Sequence, residues 1–379
     1  MENKNKIKII FIITHLELGG AQKMLLSTIK GLDKNKYEIY LYSGGIGYLK
    51  NDFLSLNYLK VHFDSFLLRE INPLFDLVSF LKMFIFMRRK RFDIVHTHSP
   101  KASILGRWAA YFAGVRNIVY TVHGWPFHRF MNPLTYYSYL FLEKITAKIT
   151  NKIIVVSRTD LEMGVNSKIA SMNKFSLIHY GIDIEKFANV SKERRYSLSF
   201  PYTILIVSSL KPQKGIFITL KVIKMLLKET PALKFIIAGD GLLRKKVEYA
   251  IEKLGIKSSV SLLGWVDDVE GLLKECDLFL LTSLWEGLPV SLIEAVASCV
   301  PYVVTNTGGV LDITNDIRGG IVVNSFSPSD IKDACIILLK EYRRWSKIIK
   351  GIKNREKINY WSHNRMIGQI IRVYKELGC

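Results

Sequence analysis

The run Ile7-Lys8-Ile9-Ile10-Phe11-Ile12-Ile13-Thr14 constrains the fold more than any other feature of the chain. It is nearly continuous in apolar residues, the pattern of a strand buried on both faces of a parallel sheet. A parallel strand needs a crossover connection. Here the run passes through His15-Leu16-Glu17-Leu18-Gly19-Gly20 into a helical stretch at 21–32. The same unit of strand, turn and helix recurs. Strands are expected at 38–43, 58–63, 92–98, 118–122 and 153–157, then at 202–208, 233–238, 260–263, 276–283 and 302–305. Helices are expected at 74–91, 99–114, 132–150, 290–299 and 364–377. The fold class is therefore α/β. A length of 379 residues suggests two domains. Residues 191–201 are polar and basic without apolar periodicity and read as a linker, between a first domain at 1–190 and a second at 202–355, with 356–379 as a C-terminal helical segment.

Charge narrows the partners. Lys and Arg number 54 against 33 Asp and Glu, a formal net charge of +21. Such an excess points to a polyanion: nucleic acid, an anionic membrane surface or phosphorylated substrates. Zinc-finger spacing and RNP-like aromatic-basic motifs are absent from the sequence, so nucleic acid is not the expected partner. Residues 1–190 hold 26 Lys and Arg against 14 Asp and Glu, a net of +12. Arg88-Arg89-Lys90-Arg91 follows the greasy stretch Met83-Phe84-Ile85-Phe86-Met87. That combination fits a peripheral protein on an anionic leaflet, and equally a solvated helix end. The greasiest segment, 74–87, is interrupted by Asp76 and Lys82, and no run reaches spanning length. The start leads straight into a strand, with no signal peptide visible. Cys276, Cys299, Cys335 and Cys379 are scattered, which fits a reducing compartment rather than a disulfide framework or zinc site. The expected location is cytoplasmic, peripheral on the inner face of the membrane.

The chemistry concentrates in Glu286-Gly287-Leu288-Pro289-Val290-Ser291-Leu292-Ile293-Glu294. Two carboxylates bracket a Gly-Leu-Pro turn and the opening of a helix. The segment follows a strand, where an open α/β sheet presents ligands outside its carboxyl ends. Acceptor-only carboxylates suit a polyhydroxylated ligand. The same pattern fits a helix whose Glu294 is merely solvated. Lys214, just before a helix N-terminus, makes a phosphate grip of point charge and oriented N–H groups. Gly19-Gly20 and Gly308-Gly309 also precede helices, as anion cradles or as plain tight turns. In the first half, His96 and His98 share a strand face and could ligate a metal or line a site. His123-Gly124-Trp125-Pro126-Phe127-His128 places aromatic faces and imidazoles together at a strand end, a normal lining for a sugar or lipid-phosphate site. Asp267-Asp268 fits a helix cap, and no Asp-x-Asp occurs in the chain.

Taken with Gly19-Gly20-Ala21-Gln22, Thr121-Val122-His123-Gly124, Tyr180-Gly181-Ile182-Asp183, Gln213-Lys214-Gly215 and Ala238-Gly239-Asp240-Gly241, the Glu-x7-Glu segment resembles the retaining family 4 glycosyltransferases of the GT-B fold. The likeness runs nearly end to end. It implies two Rossmann-like, doubly wound domains facing across a cleft, with the terminal helix crossing back onto the first. It implies transfer of a sugar from a nucleotide-diphosphate donor, with retention, to an acceptor such as a polyprenyl-diphosphate-linked saccharide. His123, Lys214 and Glu286 are the implied catalytic residues. The implied donor contacts are Gly19, Gly20, Ser209, Lys214, Gly239, Gly241, Trp265, Val266, Glu286, Gly287, Leu288, Pro289 and Glu294. His98, Trp125, Phe127 and His128 are the acceptor-side candidates. No cofactor and no obligatory metal are expected. Where the family has a diphosphate-binding Arg, this chain has Ser209, and Lys211 or the 19–20 turn could carry that charge. A sugar-nucleotide epimerase of the same shape, or a non-catalytic basic binding protein on it, would share much of this pattern.

Overall fold

The computed structural model describes residues 6–193 and 201–379. The chain forms two compact units. One runs to Tyr180 and takes in His363–Cys379; the other is Gly181–Ser362. Residues 181–190, read from the sequence as first-domain, thus cluster with the second unit. Of the expected linker at 191–201, residues 194–200 lie outside the described residues, while 191–193 end the helix Ile184–Glu193. That helix buries Phe187 and Val190. Its polar exposed side concealed it in the sequence.

The first unit holds β1 (Ile7–Ile13), β2 (Tyr37–Ser43), β3 (Leu59–Phe63), β4 (Ile94–His98), β5 (Asn117–Val122), β6 (Lys152–Val155) and β7 (Phe175–Leu177). All pair in parallel, in the order β3-β2-β1-β4-β5-β6-β7. The second holds β8 (Thr203–Val207), β9 (Lys234–Ala238), β10 (Val260–Gly264), β11 (Leu278–Leu281), β12 (Tyr302–Thr305) and β13 (Gly320–Val323). These are also parallel, in the order β10-β9-β8-β11-β12-β13. The strand order reverses once in each sheet, between β1 and β4 and between β8 and β11. Right-handed crossovers on the two sides of a reversal go to opposite faces, which opens a crevice outside the carboxyl ends there.

Both faces of β1 are covered, as its apolar run requires. Ile10 and Ile12 pack with Met83, Met87 and Ala109 from the helices Pro73–Lys90 and Pro100–Phe112. On the opposite face Phe11 lies beside His96, which is bonded to Tyr374 of the helix His363–Glu376. The helices Pro100–Phe112 and Pro133–Lys148 are tied by a fully buried ion pair, Arg107 Nη2 to Glu143 Oε2 at 2.8 Å. Arg107 also donates to Ser103 O and Thr150 Oγ1 and lies over the Tyr120 ring. Few groups of that charge are buried without such saturation.

Candidate active site

In the second unit the chemistry gathers at the β8/β11 reversal. After β8 the chain runs through a turn, Pro212–Lys214, to Gly215 and the helix Ile216–Glu229. Gly215 has φ +62°, and a Cβ there would stand 2.1 Å from the Thr282 carbonyl oxygen. Only glycine lets this loop close onto the end of β11. Leu284 N donates to Gln213 O at 2.8 Å, and the Thr219 and Thr282 hydroxyls are 2.6 Å apart. Lys214 is thereby delivered to the loop after β11. Its Nζ donates to Glu286 Oε1 at 2.5 Å, and Ser283 Oγ donates to the same oxygen at 2.6 Å. The Glu286 side chain is 5% exposed and that of Lys214 18%. Both bonds fall on Oε1, which leaves Oε2 as an acceptor for a ligand.

The Glu286 loop is pinned from β12 as well. Gly309 N donates to Gly287 O at 2.7 Å, and a Cβ on Gly308 would stand 2.1 Å from Glu286 O. Thr305 Oγ1 donates to Ser283 O. Leu288 is buried, and Pro289 caps the helix Val290–Ala297 without any side-chain bond, so its first N–H groups remain for an oxygen-rich ligand. Glu294 is buried on that helix. Gly239 and Gly241 follow β9, next to β8; a Cβ on Gly239 would meet Ser208 O, just before Ser209. Trp265 and Val266 follow β10, at the sheet edge, two strands from the reversal. The structure therefore brings Lys214, Glu286, Gly287 and the Gly308-Gly309 turn into one cluster and places Trp265 and Val266 further out. Ser209, where an Arg was expected, supplies no cation. Arg244, just beyond the Gly239-Asp240-Gly241 loop, is held by Asp240 and Glu248. Asp268 caps the helix Val269–Glu275 through Gly271 N.

In the first unit Gly19-Gly20 opens the helix Gly20–Gly31, which has neither a side-chain cap nor an acid in its first turn. Across the reversal, Ser99 Oγ lies 2.8 Å from Thr14 Oγ1 and accepts from Thr14 N. Ser99 has φ +61°, a strained conformation for a residue with a side chain. His98 Nδ1 is 2.8 Å from His123 Nε2, and His123 Nδ1 is bonded to the Tyr180 hydroxyl. His98 Nε2 is buried without a partner. It borders a small apolar cavity with Met24, Thr28, Val156, Tyr180 and Met366. Burial pushes His123 down to about 3 and His98 well below its usual value, so both rings are neutral near pH 7. A row of two neutral imidazoles and a phenol can pass a proton by switching tautomers in concert. His96 lies 4.4 Å from His98, centroid to centroid, but both its nitrogens are taken, by Tyr374 and Thr121.

Two acceptor-side expectations are corrected. Trp125 and Phe127 do not line a site. They stack in the core at 5.6 Å, with Trp125 Nε1 donating to Asp160 O, because the loop after His123 folds back under the helix Arg158–Asn166. His128 stays half-buried, its Nδ1 accepting from Phe130 N. The sequence reading also missed Ser283 and Tyr180 as partners of Glu286 and His123. Their signal was only position: a small hydroxyl at the end of a strand, and a Tyr before the Gly-Ile-Asp turn.

Comparison with known proteins gives the family of the chain. Residues 18–186 match the family model "Glycosyltransferase Family 4", and residues 191–355 match "Glycosyl transferases group 1". The chain is 33% identical over 316 residues to UDP-Gal:alpha-D-GlcNAc-diphosphoundecaprenol alpha-1,3-galactosyltransferase of Escherichia coli, covering 80% of this chain and 81% of that one. It is 26% identical over 268 residues to the capsular polysaccharide biosynthesis glycosyltransferase CapM of Staphylococcus aureus, covering 67% and 69%. The crystal structure of Anabaena HepE in complex with UDP and glucose superposes with a TM-score of 0.79 at 18% identity, covering 97% of this chain and 99% of that one. The chain is a glycosyltransferase of the GT-B fold, a member of the family whose two halves are the family 4 and group 1 domains.

Proposed function

We propose that this protein moves galactose, or a closely related hexose, from a UDP-sugar to a polyprenyl-diphosphate-linked saccharide on an anionic membrane surface, with retention at the anomeric carbon. The observation that carries the reading is the Lys214–Glu286–Ser283 cluster at the β8/β11 reversal. A cation and a carboxylate in contact suit a ligand that joins a diphosphate to a hydroxylated ring. The names of the Escherichia coli relative and of the HepE complex supply the choice of UDP and of a lipid-linked acceptor.

In this reading Lys214 meets the diphosphate, Glu286 Oε2 and the following backbone meet the sugar hydroxyls, and Glu294 meets the ribose. The barrier lies in the charge that develops on the departing diphosphate. A fixed cation and uncapped helix N-termini lower it without reorganisation, and no obligatory metal is invoked. The family resemblance implies that His123 serves the reacting end. The departing phosphate oxygen takes the acceptor proton, as the family resemblance implies.

The test has two stages. A panel of UDP-, GDP- and dTDP-sugars is scored for ligand-induced thermal stabilisation. The stabilising sugar is then offered with GlcNAc-diphosphoundecaprenol in detergent. Stabilisation by UDP-galactose and formation of a disaccharide-lipid are expected. Stabilisation by a GDP- or dTDP-sugar alone would overturn the donor. Consumption of the donor without any acceptor would make the protein an epimerase instead.

A further inference from the structure

The first unit carries an apolar face that its own fold leaves uncovered. The helix Pro73–Lys90 exposes Leu74, Leu77, Leu81 and Ile85, a stripe at helical spacing on the side away from the sheet, with Leu74 66% exposed. The helix Pro133–Lys148 exposes Leu134, Tyr137 and Phe141 at the same spacing. Between them lies Pro100–Phe112, joined to the first through the edge-to-face Phe80–Phe112 contact and to the second through Trp108 Nε1 on Thr146. The three helices therefore form one layer. The first stripe alone runs roughly 17 Å.

Charge identifies what covers this face. Residues 73–148 hold eleven Lys and Arg against three Asp and Glu, a net of +8. All three acids are spent internally: Asp76 on Lys101, Glu143 on Arg107, and Asp93 on Lys8 N. Arg88, Arg89 and Lys90 are exposed at the end of the first helix and have no acidic partner among the described residues. A second copy would bring like charges together, whereas an anionic bilayer satisfies the apolar stripes and the cations at once.

We infer that this three-helix layer is the surface on which the protein lies against an anionic membrane, the helices flat in the interface rather than across it. This rests on the reading of a membrane-embedded acceptor and specifies the face that meets it. The middle helix, Pro100–Phe112, begins directly after His98 at the end of β4, so its N-terminal end shares a rim with His98 and with His123, which is bonded to His98. A layer seated at headgroup depth holds that rim at the level of a lipid diphosphate. Among the described residues no helix is long and apolar enough to cross a membrane.

The experiment is sedimentation of the whole protein with vesicles of phosphatidylcholine, alone or mixed with phosphatidylglycerol, using two variants. In one, Arg88→Gln, Arg89→Gln and Lys90→Gln are combined; in the other, Leu77→Asn, Leu81→Asn and Tyr137→Ser. UDP-induced stabilisation serves as the control for folding. The wild-type protein is expected to bind the mixed vesicles and to bind pure phosphatidylcholine far more weakly. The charge variant should lose roughly a hundredfold in vesicle affinity and the apolar variant at least about tenfold, both with UDP stabilisation intact. Unchanged binding by both variants, or equal binding to neutral vesicles, overturns the inference. So does a concentration-dependent dimer that the apolar variant abolishes. If UDP stabilises neither wild type nor variants while vesicle binding still falls, the donor reading fails and the docking face stands.

Discussion

Replacing Glu286 with Gln should make the protein bind bare UDP more tightly. Lys214 is already neutralised by Glu286, at 2.5 Å from its Oε1 with both side chains largely enclosed. A diphosphate that takes Lys214 must loosen that bond and approach a carboxylate. At an effective dielectric of about 20, two unit charges so close attract by roughly 6 kcal/mol before solvation is counted. A charged hydrogen bond in a protein nets roughly 1.5–3 kcal/mol. Glu286→Gln keeps the shape and Ser283's partner but removes the competing charge, so UDP should gain at least about tenfold in affinity. A UDP-sugar gains the same and loses the sugar's bond to the carboxylate, so its affinity should change little while turnover falls. Titration calorimetry with UDP and UDP-galactose, on wild type, Glu286→Gln and Lys214→Met, separates these effects. Lys214→Met should weaken both ligands. If Glu286→Gln binds UDP no more tightly than wild type, Lys214 is not shared between Glu286 and the diphosphate, and the assignment of that pair is wrong.

Other consequences are independent of the donor. Gly215→Ala forces a side chain into the Thr282 carbonyl at φ +62° and should shift Lys214 off its seat, costing roughly a hundredfold in kcat/KM; activity within about twofold of wild type would mean that the loop is not seated as described. Arg107→Met strands Glu143 in the core and should cost roughly 3–5 kcal/mol in urea unfolding, with much of it recovered by adding Glu143→Leu; a loss under about 1 kcal/mol would show that the pair is not buried. Burial holds His96 and His123 near about 3, below the ordinary value of about 6.5, so the unfolded chain takes up protons first as pH falls. Stability of the first unit should be level above about pH 6.5 and fall by roughly 1.4 kcal/mol per pH unit per histidine below it, about 4 kcal/mol for the two at pH 5. Pulsed hydrogen exchange in urea on β4 and β5 peptides reads this, and protection equal at pH 7.5 and pH 5 would refute it.

The strands were legible because a parallel sheet buries both faces, and Ile9 to Ile13 show that requirement directly in residue type. Lys214 and Glu286 were legible as strand-end residues, and the loops of β8 and β11 do meet. What placed them in contact was not a feature of either motif. It was the reversal of strand order, which the periodicity of any one strand does not encode, and the glycine at 215 that lets one loop rest on the next strand. Ser283 was invisible for the same reason: a hydroxyl becomes a carboxylate's partner only when the loop after it curls back. Trp125 and Phe127 failed in the opposite direction. Aromatic residues after a strand suit a ligand wall and a core equally well, and the choice is made by the helix Arg158–Asn166, whose Gly164 leaves room for the indole.

The helix Pro73–Lys90 shows where hydrophobic patterning stops being informative. It is apolar on nearly every side, so its sequence identifies a helix but not which residues it buries. The greasy stretch beside the arginines suggested Met83 to Met87 as membrane-facing, yet Met83 and Met87 are core residues and only Ile85 of that stretch is well exposed. The outward stripe starts a turn and more earlier, at Leu74. A soluble helix normally keeps its solvent side polar, and on the helices of the second unit the exposed apolar residues are scattered singly, as at Phe217, Tyr249 and Ile337. On the other side of the same sheet, the helix His363–Glu376 alternates buried Met366, Ile370 and Val373 with exposed polar residues in the ordinary way. A composition effect would have greased both faces. One greased face, on the unit that carries a net +13 over residues 1–180, is what the proposed membrane-facing layer requires.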